Sequence, residues 1–308
     1  MANRIKIQQM TIGQFEAMFP DDEACKAYLV QTRWPDGVRC PRCGNPAVTE
    51  LKTKPFHWQC YDCAPGTSYR FSVLVNTIFE NTNKGLREWF RIIHLMLTSK
   101  KGISALQIHR MMGFGSYRTA WSICHKIRTA LMDGEFQKLM GIVEMDQTFV
   151  GGKAKNRHKD KRGDGDGTSG GTGRGPTGKI AVIGAVQRKG NVVARVVERL
   201  DGPAIHGFLR ESVSDRVSLL CTDAWKAHRN IGREFPNHQM IDHRAGQYVV
   251  GAVHTNTIEG FWSLVKRSII GTHHRVSAKY LPLYVAETQF KYNNRLNSNI
   301  FGAAVAGC

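Results

Sequence analysis

Three carboxylates, Asp146, Asp223 and Glu259, occupy positions from which they could converge on one cation. Asp146 lies within Ile142-Val143-Glu144-Met145-Asp146-Gln147-Thr148-Phe149-Val150, whose alternation predicts a strand. Asp223 closes the apolar run from Val217 to Thr222, read as a short buried strand. Glu259 falls in a helical stretch from Thr257 to Ile270, where Ile258, Phe261, Trp262, Val265 and Ile269 form one apolar face. Asn256, Glu259, Ser263 and Lys266 follow i, i+3, i+7 and i+10, so they share the opposite, polar side. Carboxylates held together do not all stay ionised without a cation, and oxygen-only ligands suit Mg²⁺ or Mn²⁺. A pair of such ions is the usual machinery for in-line attack on a phosphodiester. Glu144, on the same strand face as Asp146, is the rival ligand. The chain holds 25 acidic residues, so strand-end carboxylates also read as solvated loop groups, and the other elements must decide.

The elements around these residues have an informative order. Lys179 to Gln187 and Val192 to Leu200 flank Arg188-Lys189-Gly190-Asn191 as a hairpin, Ala204 to Val213 reads as a helix, and Leu219 to Asp223 as the next strand. Strand, strand, strand, helix, strand, then helices bearing Glu259 is the order of a ribonuclease H-like α/β fold. In that fold the first and fourth strands lie side by side, which would bring Asp146 and Asp223 together. Between the first two strands, residues 151–178 hold ten glycines, seven Lys or Arg and almost nothing apolar. Such a segment predicts a mobile basic loop, with Lys153 available to a DNA backbone.

Cys40-Pro-Arg-Cys43 and Cys60-Tyr-Asp-Cys63 are two CxxC pairs separated by 16 residues. In a reducing compartment this spacing reads as one tetrahedral Zn²⁺ site, with short ribbon strands at Val48 to Leu51, Phe56 to Gln59 and Tyr69 to Val73. Cys25, Cys124, Cys221 and Cys308 are scattered and read as small buried hydrophobes. Helical periodicity follows from Leu86 to Leu97, from Ile103 to Met112, and from Tyr117 to Met132 with Ala120, Trp121, Cys124, Ile127 and Leu131 inward. The last two helices, joined by Gly113-Phe114-Gly115-Ser116, suit a helix-turn-helix. Its second helix would offer Arg118, His125, Lys126 and Arg128 to DNA. A helical connector with a solvated basic face is the alternative.

The predicted organisation is an N-terminal helical segment (1–33), a zinc ribbon (34–76), a helix-turn-helix region (77–135), a catalytic domain (140–296) and a tail (297–308). With 43 Lys and Arg against 25 Asp and Glu, the net charge is +18, which favours a polyanionic partner such as nucleic acid. No apolar run approaches the roughly 20 residues needed to cross a bilayer, and Met1-Ala2-Asn3-Arg4-Ile5-Lys6 opens without a signal-peptide core. A cytoplasmic, nucleoid-associated protein without membrane contact is therefore expected.

Several segments together resemble the DDE transposases of bacterial insertion sequences, in the Merlin-related, ISXO-type group with an N-terminal zinc ribbon. They are Trp34 to Gly44, Thr98-Ser99-Lys100-Lys101-Gly102-Ile103-Ser104, Glu144 to Lys153, Cys221-Thr222-Asp223-Ala224-Trp225, His254 to Arg267, and Lys291-Tyr292-Asn293-Asn294-Arg295. The resemblance implies cleavage of element ends and strand transfer into target DNA. Asp146 and Asp223 would hold two Mg²⁺ or Mn²⁺ ions per site, with Glu259 completing the second. Lys266 and Arg267 would lie against DNA, Asn256 would orient Glu259 or a water, and a homo-oligomer would form on the terminal inverted repeats. Two other readings remain: a zinc-ribbon and helix-turn-helix regulator without chemistry, and a ribonuclease H-like nuclease that cuts without joining.

Overall fold

The computed structural model describes residues 10–63, 69–132, 137–151, 179–225, 228, 230–241, 249 and 251–308. Two compact units result, one of residues 1–133 with 294–308, the other of residues 134–293.

The first unit opens with α1 (Ile12–Met18) and α2 (Asp22–Arg33). Each begins at a side chain that accepts an otherwise unpaired N–H: Thr11 takes that of Gln14 and Asp21 that of Ala24. Strands β1 (Val48–Glu50), β2 (His57–Cys60) and β3 (Tyr69–Ser72) pair antiparallel in that order, close to the predicted ribbon. Helices α3 (Leu86–Thr98), α4 (Ala105–Met112) and α5 (Tyr117–Ala130) follow. Gly113 ends α4 in the left-handed conformation, φ 63°, and Ser116 caps α5 through the Arg118 N–H, which makes the expected tight turn.

The core of this unit is aromatic. Phe15, Phe19 and Phe90 surround Phe301, whose ring centroid lies 5.4 Å from that of Phe19 and 5.5 Å from that of Phe90. Phe301 belongs to a C-terminal helix, Ile300–Ala306, that the reading of 297–308 as a tail did not anticipate. Ile300, Phe301, Ala304 and Val305 form one buried stripe at i, i+1, i+4 and i+5, and the Cys308 carbonyl accepts the Ile78 N–H at 2.9 Å.

The second unit is built on a sheet of β4 (Ile142–Val150), β5 (Ile180–Gln187), β6 (Val192–Val197), β7 (Leu219–Asp223) and β8 (His238–Ile241), in the spatial order β6-β5-β4-β7-β8. β4, β5 and β6 pair antiparallel; β7 runs parallel to β4, and β8 parallel to β7. Helix α6 (Gly202–Ser212) covers one face, while α7 (Asn256–Ser268) and α8 (Leu281–Asn293) cover the other. Alternation on β5 sorts the two cores: Ala181, Ile183 and Ala185 join Ile205 and Leu209 of α6, whereas Val182 and Val186 join Phe261, Val265 and Val285. The outer edge of β6 is closed by amides of α8. Asn293 accepts the Val192 N–H at 2.8 Å and donates to its carbonyl at 3.0 Å, and Gln289 accepts the Ala194 N–H at 2.8 Å. An edge so paired cannot recruit a foreign strand. The segment 152–178, with Lys153 and the predicted basic loop, lies outside the described residues.

Candidate active site

The β4–β7 register pairs Ile142 with Leu219, Val143 with Leu220 and Glu144 with Cys221. Continued two residues, that offset sets Asp146 level with Asp223, so the two carboxylates belong to adjacent parallel strands. Val143 and Met145 point into the α6 core, so Glu144 and Asp146 face α7.

Asp146 is held by that helix. The Trp262 Nε1–H donates to Asp146 Oδ2 at 3.1 Å. Opposite Asp146 on β5 stands Gly184, where a Cβ would lie 2.6 Å from Trp262 Cη2. The missing side chain is thus the space that the indole fills. Burial pushes the Asp146 carboxyl up to about 6; the Gln147 N–H draws it down, and the charges of Asp223 and Glu259 push it further up. Asp146 therefore lies within electrostatic reach of the other two carboxylates.

Glu144, the rival ligand, is wholly buried and already saturated. Its Oε1 accepts from Arg188 Nε at 2.6 Å and Thr257 Oγ1 at 2.8 Å; its Oε2 accepts the N–H groups of Thr257 at 2.7 Å and Ile258 at 3.1 Å. A carboxylate under the first turn of α7 complements the exposed N–H groups and the helix dipole there. Arg188 also donates to the carbonyls of Ala252 and His254, at 2.7 and 3.1 Å, and so ties the β5–β6 turn to the segment entering α7. Glu144 anchors the helix that carries Glu259 and has no lone pair left for a metal ion.

Asp223 keeps an open oxygen. His228 Nδ1 lies 2.7 Å from its Oδ1 but is directed at the Asp223 main-chain oxygen at 3.0 Å, so among the described residues no donor satisfies the buried Oδ1. Glu259 is exposed on α7, its Oε1 accepting from Thr255 Oγ1 at 3.1 Å. Lys266 is exposed seven residues on, and Arg267 is exposed with its Nε donating to the Ser263 carbonyl at 3.1 Å. This all-oxygen set, crowded with negative charge and holding an unsatisfied buried oxygen, fits a hard divalent cation.

Among the described residues, the group of three or more candidate ligands whose donor atoms all lie within 4.8 Å is Cys40, Cys43, Cys60 and Cys63; the carboxylates do not close to that distance. Cys40 Sγ lies 3.6 Å from Cys63 Sγ, and Cys43 Sγ 3.7 Å from Cys60 Sγ. Two thiolates bound at zinc–sulfur lengths on a tetrahedral centre are about 3.8 Å apart, so the quartet has the size of a zinc cage. Burial opposes ionisation of Cys40, but the N–H groups of Cys43 and Arg42 bring its thiol down to about 7.

On α5, Arg118 and Lys126 are exposed, whereas Arg128 is 1 % exposed and His125 is buried. Arg128 falls four residues after Cys124 on the stripe of Ala120, Cys124 and Leu131, which turns it inward rather than towards DNA. Trp121, expected inward, is half-buried and stacks on His125 at 4.0 Å. Trp262, Gly184, Arg188 and Thr255 are the site residues that sequence reasoning passed over. The one available signal was Trp262 itself, a buried indole whose N–H requires an acceptor, one turn from Glu259.

A family model described as a transposase zinc-ribbon domain matches residues 20–65, which include α2 as well as the cysteines. The chain is 27% identical over 280 residues to an uncharacterized protein in transposable element ISH50 of Halobacterium salinarum, covering 89% of this chain and 91% of that one. A solved chain from a cryoEM structure of the simian T-cell lymphotropic virus intasome with PP2A regulatory subunit B56 gamma is 13% identical and covers 64% of each chain. Its TM-score is 0.27, too low to bear on the fold. The model of the ISXO2-like transposase domain matches residues 138–293, the stretch that carries all three carboxylates and half of the protein. The chain belongs to the ISXO2-like transposase family.

Proposed function

We propose that this transposase cleaves the ends of its insertion sequence and joins them to target DNA at a divalent-metal centre held by Asp146, Asp223 and Glu259. The observation that carries this reading is the parallel β4–β7 register, which sets Asp146 level with Asp223, with Asp146 hydrogen-bonded to the helix that bears Glu259. A ribonuclease H-like reading of the second unit is supported by its strand order, three antiparallel strands followed by two parallel ones, with Asp146 and Asp223 on adjacent members. Two bound Mg²⁺ or Mn²⁺ ions would supply activation of the attacking hydroxyl and stabilisation of the leaving 3′-oxygen.

The side chains divide the remaining work. Trp262 fixes Asp146 Oδ2 and so orients the carboxylate that would hold a cation. Thr255 Oγ1 fixes Glu259 Oε1 and so orients that carboxylate. Asp223 would contribute its Oδ1 to the metal centre. Lys266 and Arg267, exposed beyond Glu259, neutralise phosphates flanking the scissile bond. Cys40, Cys43, Cys60 and Cys63 hold one structural Zn²⁺, and Arg118 and Lys126 meet DNA. Two element ends per reaction call for more than one chain on the terminal inverted repeats.

The test compares Asp146→Asn, Asp223→Asn and Glu259→Gln on labelled element-end duplexes with Mg²⁺ or Mn²⁺. Each should abolish cleavage while leaving end binding within about twofold. Near wild-type cutting by any one removes that residue from the site. Cleavage by the wild type without joined product favours a nuclease over a transfer reaction.

A further inference from the structure

The first unit contains a hollow of about 410 Å³ that the carboxylate chemistry does not use. Its walls are the segment Thr82–Lys84 and one side of α5, over a floor formed by Trp89 and Ile123, 2 % and 4 % exposed. Lys84, Arg118 and Lys126 line it, and none of its lining residues is a carboxylate. Ser116, Thr119 and Ser122 add hydroxyls to the lining. A concave surface with three cations and several hydroxyls matches the acceptor oxygens of a phosphate.

The walls are fixed. Trp89 Nε1 donates to Thr82 Oγ1 at 2.9 Å, which pins the outer segment to the floor. The Lys84 ammonium sits 4.5 Å from the Phe114 ring centroid and 3.7 Å from Glu88 Oε1. Arg118, Ser122 and Lys126 follow i, i+4 and i+8 and form one stripe about 12 Å long. That length exceeds the roughly 3.4 Å rise per nucleotide of a duplex strand, so the stripe matches a run of backbone rather than a single small anion.

We infer that this hollow clasps the phosphate backbone of duplex DNA, with Lys84, Arg118 and Lys126 as phosphate contacts. It rests on the reading of α4 and α5 as a DNA-binding pair and changes what α5 does there: these cations set register on the duplex and do not read bases. Lys84 comes from outside the helix pair, so the clasp closes from two chain segments.

Binding of the full-length protein to an element-end duplex and to a scrambled duplex, over a range of salt, tests this. Lys84→Gln and Lys126→Gln should each weaken both duplexes by the same factor. Each should lower the slope of log affinity against log salt by about one, roughly a tenfold effect per decade of salt. Lys84→Arg should keep both affinity and slope. Unchanged affinity in Lys84→Gln, or a loss confined to the element-end duplex, overturns the clasp while leaving α4 and α5 as a DNA-binding pair. Competition by millimolar inorganic phosphate at Lys84 with DNA affinity unchanged in Lys84→Gln assigns the hollow to a free anion instead. Absence of salt-dependent binding to either duplex in the wild type overturns the DNA-binding reading of the helix pair and the clasp with it.

Discussion

Arg188, in the turn between β5 and β6, donates its Nε–H at 2.6 Å to Glu144, a carboxylate with no solvent exposure on β4. The pair sits beneath α7, and the same carboxylate accepts two N–H groups from that helix's first turn. Removing one partner strands a buried charge, at a cost of about 3–5 kcal/mol. Arg188→Ala should therefore lower stability by that order in urea unfolding and weaken activity, since Glu259 rides on α7. Stability within about 0.5 kcal/mol of wild type would show that Glu144 does not depend on the guanidinium.

Gly184→Ala probes the seat of Trp262. The new methyl would lie 2.6 Å from Cη2, closer than real Cβ contacts approach, so the indole must move from Asp146. The expected outcome is a shift in tryptophan emission and at least a tenfold loss of metal-dependent cleavage, with the protein still folded by circular dichroism. Unaltered emission and activity would mean that the Trp262–Asp146 bond does not position the carboxylate.

Cysteine chemistry separates the ribbon from the core. Burial pushes the thiols of Cys25 and Cys308 up to about 12, so both resist alkylation near neutral pH. Mass analysis after iodoacetamide should show the ribbon cysteines protected in purified protein and modified once a strong chelator removes zinc. Rapid labelling of all four before chelation would speak against a metal cage.

Glu234 supplies a pH dependence. Hydrogen bonds from Arg210 at 2.8 and 2.9 Å, and from His206, hold its carboxyl down at about 2 against a usual 4.5. A depressed folded value means that the contribution is complete above about 4.5 and fades as pH falls towards 2. The stability difference between wild type and Glu234→Gln should shrink across that interval. A difference that is flat from pH 6 to 2 would show that the ion pair does not set it.

The chain's local chemistry was legible without tertiary structure. CxxC spacing reveals a ribbon because each pair must form a tight turn on one ion, and the periods of α3, α5 and α7 emerge because one stripe of each must be buried. The strands β4, β5 and β7 show as alternating or continuous apolar runs bounded by turn residues. β8 escaped notice because His238-Gln239-Met240-Ile241 is short and half polar, without alternation, and becomes a strand only by pairing with β7. Tertiary packing alone decided that Glu144 is a helix anchor, since its four hydrogen bonds come from three residues 44 to 114 positions away. The same holds for Gly184, whose empty Cβ position is meaningful only beneath the Trp262 indole, and for Phe301, which enters a core of residues from the opposite end of the chain. Spacing along a sequence specifies which side chains share a face; which distant group fills the space above that face is set by the close packing of the folded chain.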